Sequence, residues 1–575
     1  MLQRLPEHLY LSLASTTLAL LALSWGGLQA QTCGGESDIL FRFDGQSASD
    51  YFGVSVAGAG DVNADGVADI VIGAEGTDVG TALGAGSAFV YSGATRSLLH
   101  RFDGLGPYYL LGCSVASAGD VDGDGADDII VGAKGVLAGD GSAFVYSGAT
   151  GALLHRFDGY HGSSLGVSVS GAGDVNGDGF DDLIVGADHA DVGGHWSAGS
   201  AFLYSGATGA LLLRIDGEET DDELGHSVSG AGDVDGDGLD DVIVGAAHTD
   251  PGGVTWAGSA FVYSGGTGAL LYRLDGNVAS GLLFGESVSG AGDVNGDGYD
   301  DVVVGARFTP GVLPQVGAAF IYSGVSGALL YRLDGSDPFG WFGDSVSGAG
   351  DVNGDGFDDV IVGATWNSPA GRTRAGAAFI YSGATGAFLR RFDGQESYAY
   401  LGNSVSGVGD VDGDGLDDVI AGAHGADPGG RDDAGTALIY ATDPLDAFLS
   451  LDTNRLSASA GGRVNFFLDF PDSESGVPYV LLASLTGTGP WFVPGGCVPL
   501  TFDALTQRMT HTPPPVFHNT AGTLGAGGTA QAWLIVAPGG LSGYVGARLW
   551  FAAVAYVPAS GLHYSSVALP LDILP

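Results

Sequence analysis

The chain has 575 residues, 104 of them glycine, with 45% hydrophobic residues and a net charge of −48 from 67 acidic and 19 basic side chains. So much glycine weakens helix interiors, the apolar content exceeds that of a disordered chain, and no Gly-X-Y period supports a collagen helix. Lys134 is the only lysine, so the chain lacks the cationic face that a nucleic-acid partner needs and is repelled by anionic lipid surfaces.

Residues 1–30 read as an export signal: Arg4 precedes an apolar stretch over 11–23, and Ala30 offers a small residue for cleavage. No lipobox-like run precedes Cys33, and later apolar runs are too short and too broken for a membrane helix. The expectation is a secreted or cell-surface protein without membrane insertion. Residues 31–38 form a short linker. Three cysteines make no disulfide framework. A Cys33–Cys497 bridge is left open, and Cys113, inside a repeated strand, reads as a small buried hydrophobe.

Residues 39–443 repeat. The segment D-V-[ND]-x-D-G-x-x-D starts at Asp61, Asp120, Asp174, Asp233, Asp293, Asp351 and Asp410, at intervals of 54 to 60 residues. Around each copy lie four runs of five to eight residues, β-branched or aromatic and bounded by Gly, Ser or Asp, which read as four strands. The last ends in R-x-D-G, as in Arg273-Leu274-Asp275-Gly276. A period of this length with four strands per unit predicts a β-propeller of seven blades. The first R-x-D-G run, 39–45, precedes the first acidic loop, and the seventh repeat lacks its own. The N-terminal strand is therefore expected to complete the last blade and leave no open edge. Residues 444–575 carry strand-like runs at 464–470, 479–485, 497–502, 530–536, 547–556 and 567–573 and read as a β-sandwich-like C-terminal domain. The fold class is all-β.

The acidic loops carry the clearest chemistry. Oxygen donors fall at positions 1, 3, 5 and 9, glycine at position 6 allows the sharp turn, and position 7 offers its carbonyl. A hard cation with six or more oxygen ligands suits this set, and calcium fits better than magnesium. The expected ligands are Asp61, Asn63, Asp65, Val67 and Asp69 in the first loop, and Asp120, Asp122, Asp124, Ala126 and Asp128 in the second. The third has Asp174, Asn176, Asp178, Phe180 and Asp182, and the fourth Asp233, Asp235, Asp237, Leu239 and Asp241. The fifth has Asp293, Asn295, Asp297, Tyr299 and Asp301, the sixth Asp351, Asn353, Asp355, Phe357 and Asp359, and the seventh Asp410, Asp412, Asp414, Leu416 and Asp418. Up to seven structural Ca2+ ions are implied. Position 8 is Ala68 in the first loop and aspartate in the other six, so it is read as dispensable to the ion.

These residues resemble the FG-GAP repeats of the integrin α-subunit propeller. The Phe/Leu-Gly pairs stand at Phe52-Gly53, Leu111-Gly112, Leu165-Gly166, Leu224-Gly225, Phe284-Gly285, Phe342-Gly343 and Leu401-Gly402. The Gly-Ala pairs run from Gly73-Ala74 to Gly422-Ala423, and the proline that follows them in the family is absent from every copy. The resemblance implies a seven-bladed propeller, calcium in the strand 1–2 loops, and extracellular binding or adhesion. The tail is similar to C-terminal modules of secreted bacterial repeat proteins.

Strand alternation puts the acidic loops and the S-G-A-T-G hairpins on one face, and the 2–3 loops and blade connections on the other. The second set varies and carries Trp196, Trp256, Trp341, Trp366, Tyr108, Tyr109, Tyr398, Tyr400, Arg372 and Arg374, with His189, His195 and Arg431. Such loops on a rigid scaffold are where binding sites concentrate; for each ring, packing over a blade edge is the competing account. One G-x-S-x-G, Gly162–Gly166, lies in a blade connection rather than a strand–turn–helix setting. His189, Asp191 and His195 are a candidate metal group set against a solvated loop. R-x-D-G is expected to pair within its strand. The reading is a non-enzymatic extracellular binding or adhesion protein with a protein or glycan ligand. A lectin is the alternative, and the platform of a polysaccharide-degrading enzyme is a more remote one.

Overall fold

The computed structural model describes residues 39–135, 139–276, 281–310 and 315–442, together with the backbone of strands between 449 and 574. The chain divides into two compact units, one holding the repeats and one holding residues 444–575.

The repeats form seven four-stranded antiparallel sheets. In the first blade the strands are β2 (Phe52–Gly60), β3 (Asp69–Ala74), β4 (Ser87–Tyr91) and β5 (Leu98–Asp103). The seventh contributes only three of its own, Val405–Gly409, Asp418–Ala423 and Thr436–Tyr440. Its outer strand is β1 (Ile39–Asp44), antiparallel to Thr436–Tyr440 with Asp44 opposite Thr436 and Phe43 opposite Ala437. The expected closure by the N-terminal strand is thus the observed one.

Burial explains the sequence pattern. All six residues of the second strand are buried in every blade. These runs show no polar alternation because both faces pack against protein. The core is a ring of interfaces rather than one centre. Val71 and Val90 of the first blade pack with Leu111, Val131 and Phe144 of the second. Phe41 and Phe43 of β1 join Phe52, Ile70 and Ile439 across the closing seam.

Blade-to-blade hydrogen bonds repeat with the fold. Ser55 Oγ accepts from Val115 N–H, Ser114 from Val169, Ser168 from Val228, Ser227 from Val288, Ser287 from Val346 and Ser345 from Val405, at 3.0–3.1 Å. Ser404 accepting from Val56 closes the circle at 3.0 Å. The Phe/Leu-Gly and Gly-Ala glycines are where neighbouring backbones touch: a Cβ on Gly73 would lie 2.0 Å from the Gly112 carbonyl oxygen. On the outer strands each motif arginine pairs with the aspartate two residues on, as Arg273 Nε does with Asp275 at 2.7 Å, and Ser259 Oγ donates to the same carboxylate.

Position 8 of the acidic loops has a role that counting ligands did not reveal. Asp127 Oδ2 accepts from the N–H of Asp61 in the preceding blade at 2.7 Å. Asp181, Asp240, Asp300, Asp358 and Asp417 repeat the bond at 2.9–3.0 Å. The glycine just before each donor leaves room for the carboxylate: a Cβ on Gly232 would fall 2.0 Å from Asp300 Oδ2. Ala68 has no carboxylate, so the seventh-to-first seam lacks this staple, and Gly409 there faces the Ala68 Cβ.

In the second unit, Leu449–Leu451, Gly462–Asp469, Thr529–Val536 and Phe517–His518 form one sheet. Arg455–Ser457, Leu569–Leu574, Arg548–Val557, Pro478–Ser484 and Ala521–Thr523 form another, with Gly561–Ser565 paired to Arg548–Val557. The packing of their faces, which the sandwich expectation concerns, lies outside the described residues. So do the export signal and the Cys33–Cys497 pairing.

The staple predicts opposite effects of two substitutions. Asp300→Ala leaves the buried side of a backbone donor unpaired and is expected to cost ~1–3 kcal/mol, while Ala68→Asp supplies the missing bond and is expected to add ~1 kcal/mol. Denaturant midpoints in chelator measure both; a destabilising Ala68→Asp contradicts the assignment.

Candidate functional site

Two sites follow from the two faces. On the lower face, each acidic loop is folded by its own carboxylates. In the fifth, Asp293 Oδ1 accepts from Gly296 and Asp297 N–H at 2.6 and 3.1 Å, and Oδ2 accepts from Gly298 at 2.9 Å. Asp297 Oδ1 takes Tyr299 N–H at 3.1 Å. Position 9 opens the second strand and is buried in all seven blades. Asp301 Oδ1 accepts from Gly324 N–H of the 3–4 hairpin at 2.9 Å, tying loop to hairpin on one face.

The loops fall into two kinds. Where position 3 is asparagine, its amide donates to the position-9 carboxylate: Asn63 to Asp69, Asn176 to Asp182, Asn295 to Asp301 and Asn353 to Asp359, at 2.7–2.9 Å. Where it is aspartate, three carboxylates converge. Asp120, Asp122 and Asp128, then Asp233, Asp235 and Asp241, then Asp410, Asp412 and Asp418 each bring an oxygen within 4.8 Å of the other two. Three like charges at that separation repel strongly unless protonated or bridged by a cation, and an all-oxygen set fits a hard divalent ion.

The position-9 carboxyls show the cost of their surroundings. Burial pushes them up, to about 6 at Asp69, Asp182, Asp241 and Asp301, about 7 at Asp128 and Asp418, and about 8 at Asp359. Backbone donors such as Gly93 N–H pull in the other direction without overcoming it.

On the upper face, the 2–3 loop of one blade and the connection to the next are bonded together. Tyr108 N–H donates to Leu83 O at 2.7 Å and Leu110 N–H to Gly84 O at 3.2 Å. The residue before each Phe/Leu-Gly pair is left-handed in all seven blades: Tyr51, Leu110, Ser164, Glu223, Leu283, Trp341 and Tyr400 have φ of 53–58°. Side chains held in that strained region recur where loops present them for use.

The candidate ligand residues separate. Trp196 is 72% exposed, and Tyr108, Trp256 and Tyr398 are each more than half exposed. Tyr109 is instead a core residue beside Phe144. Trp341 and Trp366 stack on each other at 3.7 Å, and the Arg374 guanidinium lies 3.6 Å over Trp366. Tyr400 stacks on His424 at 5.3 Å, Arg372 reaches Gln395 at 3.3 Å, and Arg431 donates to Gly45 O at 3.0 Å across the closing seam.

His189, Asp191 and His195 do not converge. His195 sits in a tight hairpin with Val192, Asp191 Oδ1 accepts from Ser197 N–H, and His189 turns to Asp188. The G-x-S-x-G serine, Ser164, lies 3.4 Å from His189 Nδ1, the same nitrogen that meets Asp188 Oδ1 at 2.8 Å. A serine–histidine–aspartate relay uses opposite ring nitrogens for its two partners, so this arrangement does not build one. Burial works to raise Asp188, but His189 and His226 hold it down at about 2. Cys113 is a half-buried thiol rather than the buried hydrophobe expected; its Sγ lies 3.4 Å from Gly166 O, and desolvation pushes it up to about 12.

The sign of the pH response follows from the carboxyls. A group raised in the folded state above ~3.9 binds its proton more tightly there than in the unfolded chain. Its contribution is present at low pH and lost as pH rises through the folded value. In chelator, the melting temperature is expected to fall between pH 5 and 8; a millimolar divalent cation should flatten that fall. Thermal melts check this, and a chelated melting temperature that rises over the window contradicts it.

Comparison with known proteins agrees with this geometry. The FG-GAP repeat family matches residues 165–204, 224–263, 284–322, 342–381 and 401–440, the third to seventh blades. Integrin alpha-4 of Xenopus laevis is 31% identical over 313 residues, covering 51% of this chain and 27% of that protein. Integrin alpha-V of Gallus gallus is 32% identical over 240 residues, 39% of this chain and 22% of the relative. Integrin alpha-5 of Xenopus laevis is 31% identical over 253 residues, 41% and 22%. The chain thus spans about a quarter of the length of the curated relatives it matches. Five of its seven blades match the FG-GAP repeat family, and the chain is similar in sequence to integrin α subunits.

Proposed function

We propose that this is a secreted, calcium-stabilised propeller that binds a protein or glycan ligand outside the cell, without catalysis, on the face opposite its acidic loops. The observation that carries the reading is the division of labour between faces. The lower loops are tied into the ring by positions 8 and 9. The upper loops differ from blade to blade and present Trp196, Trp256, Tyr108 and Tyr398 to solvent. Aromatic anchors on rigid loops are the side chains that concentrate binding energy. The similarity to integrin α subunits supports an extracellular binding role.

Calcium is the ion that the loop chemistry favours, because asparagine and aspartate oxygens around a flexible turn suit six to eight ligands. All seven loops are candidates, with the position 1, 3, 5 and 9 side chains and the position 7 carbonyl as the ligand set. The ions would serve rigidity, since they bind the folded ring and stabilise it by mass action. The lectin reading rests on Trp196 and Trp256, whose exposure leaves ring surface for a sugar. Trp341 and Trp366 offer less, being stacked on each other.

Two measurements test the proposal. Replacing chelator by millimolar calcium should raise the melting temperature by several degrees, and equimolar magnesium by much less; equal responses would remove calcium as the ion. The calcium-loaded chain should bind members of a defined panel of extracellular matrix proteins or arrayed glycans, with Trp196→Ala and Trp256→Ala weakening it at least tenfold. Retained affinity in both variants places the ligand elsewhere; a signal confined to the glycans selects the lectin.

A further inference from the structure

Where neighbouring blades meet on the upper face, three repeat positions converge. They are the residue after Gly-Ala in one blade, and the residues just before and just after Phe/Leu-Gly in the next. The seven combinations include Glu75 with Leu110 and Cys113, Lys134 with Ser164 and Val167, and Arg307 with Trp341 and Asp344. Only the combination between the third and fourth blades, Asp188 with Glu223 and His226, consists of three metal-ligating side chains. Each of the three offers an atom within 4.8 Å of the other two.

We propose that Asp188, Glu223 and His226 form a binding site for a transition-metal ion of the zinc class, separate from the acidic loops. The donor set is one imidazole nitrogen and two carboxylate oxygens, which suits zinc and its neighbours better than calcium. Zinc bonds of ~2.0–2.2 Å place tetrahedral donors ~3.4 Å apart. Closing from 4.8 Å takes up to ~1.4 Å, within reach of side-chain torsions.

The surroundings orient the donors as an outer shell does. His226 turns Nδ1 toward Asp188 Oδ2 at 3.1 Å, while Nε2 faces Glu286 Oε1 at 3.7 Å. The Nδ1 contact with Asp188 is a hydrogen bond, so ligation through Nδ1 displaces its proton and leaves the remaining one on Nε2, the nitrogen that faces Glu286. Glu286 is itself anchored by Arg307 Nη2 at 3.0 Å. The two ligating carboxylates are each held by a second histidine: Asp188 Oδ1 by His189 at 2.8 Å and Glu223 Oε2 by His248 at 2.8 Å. The side chains of Asp188, Glu223 and His226 are 3%, 21% and 35% exposed, so the three donors are partly buried.

Zinc titration of the full chain in excess calcium tests this, because calcium occupies the oxygen-only loops. The expected result is one zinc per chain with imidazole scattering in the X-ray absorption spectrum. His226→Ala and Glu223→Gln should each abolish it, and Glu286→Gln should weaken it ~10–100-fold through the outer shell. An unchanged calcium-induced melting shift in each variant shows that the ring is intact. Absence of stoichiometric zinc in the folded wild-type chain overturns the proposal. So does wild-type zinc affinity in both His226→Ala and Glu223→Gln, or loss of zinc only on His195→Ala.

Discussion

The structure depends on lateral contact between blades. A four-stranded sheet of this size cannot bury both faces by itself, and its second strand is apolar on both. Each blade therefore exists by virtue of its neighbours, and the contact has to be made with the same atoms at every step. The serine on the first strand supplies it: one hydroxyl accepts the next blade's valine N–H, seven times, without interruption at the seam. A hydroxyl is short enough to let first strands approach and polar enough to satisfy a backbone donor that the turn of the ring leaves unpaired within its own sheet. The Gly-Ala and Phe/Leu-Gly glycines serve the same approach, since side chains there would occupy the neighbour's carbonyl oxygen.

That constraint explains why one face is invariant within the chain and the other is not. The acidic loop turns through Asx-type bonds, position 9 holds the 3–4 hairpin, and position 8 reaches back to the preceding blade. A change at any of these sites disturbs two connections at once, and a cation at the centre would add a third. The upper loops bond mainly through their backbones, as Tyr108 and Leu110 do with Leu83 and Gly84. Side chains at the loop tips, such as Trp196 and Tyr108, are released from holding the ring and can differ from blade to blade.

Much of this was legible in the sequence because periodicity reports whatever recurs. Strand number, blade count and the role of β1 followed from the offset between seven acidic loops and the first R-x-D-G run. Contacts between repeats were less accessible, since spacing along the chain does not say which positions meet across an interface. Position 8 is the clearest example: its single exception, Ala68, was read as dispensability, while the structure places that exception at the one seam without a staple. The signal was present in the glycine–aspartate pairing of successive repeats. Tyr109 and Tyr108 differ in burial because adjacent residues of a turn point apart, which composition does not reveal. The Asp188–Glu223–His226 group escaped notice because its members lie in two repeats and match no linear motif.

Counting aromatic residues on the upper face also overstates the surface open to a ligand. Trp341, Trp366, Arg374 and Arg307 are engaged with one another, Arg307 lying 5.1 Å over Trp341 while paired with Glu286 and Asp344. Tyr400 is engaged with His424. These contacts fix loops; they sit near the upper ends of the first and second strands, where Lys134–Glu75 and Asp188–His226 also bridge blades. The rings left exposed, Trp196, Trp256, Tyr108 and Tyr398, come from loop tips instead. Two tiers result, a charged and largely self-satisfied inner tier and an aromatic outer one. A ligand that gains most of its energy from apolar contact is served by the outer tier, because entering the inner one means breaking half-buried ion pairs that each already have a partner.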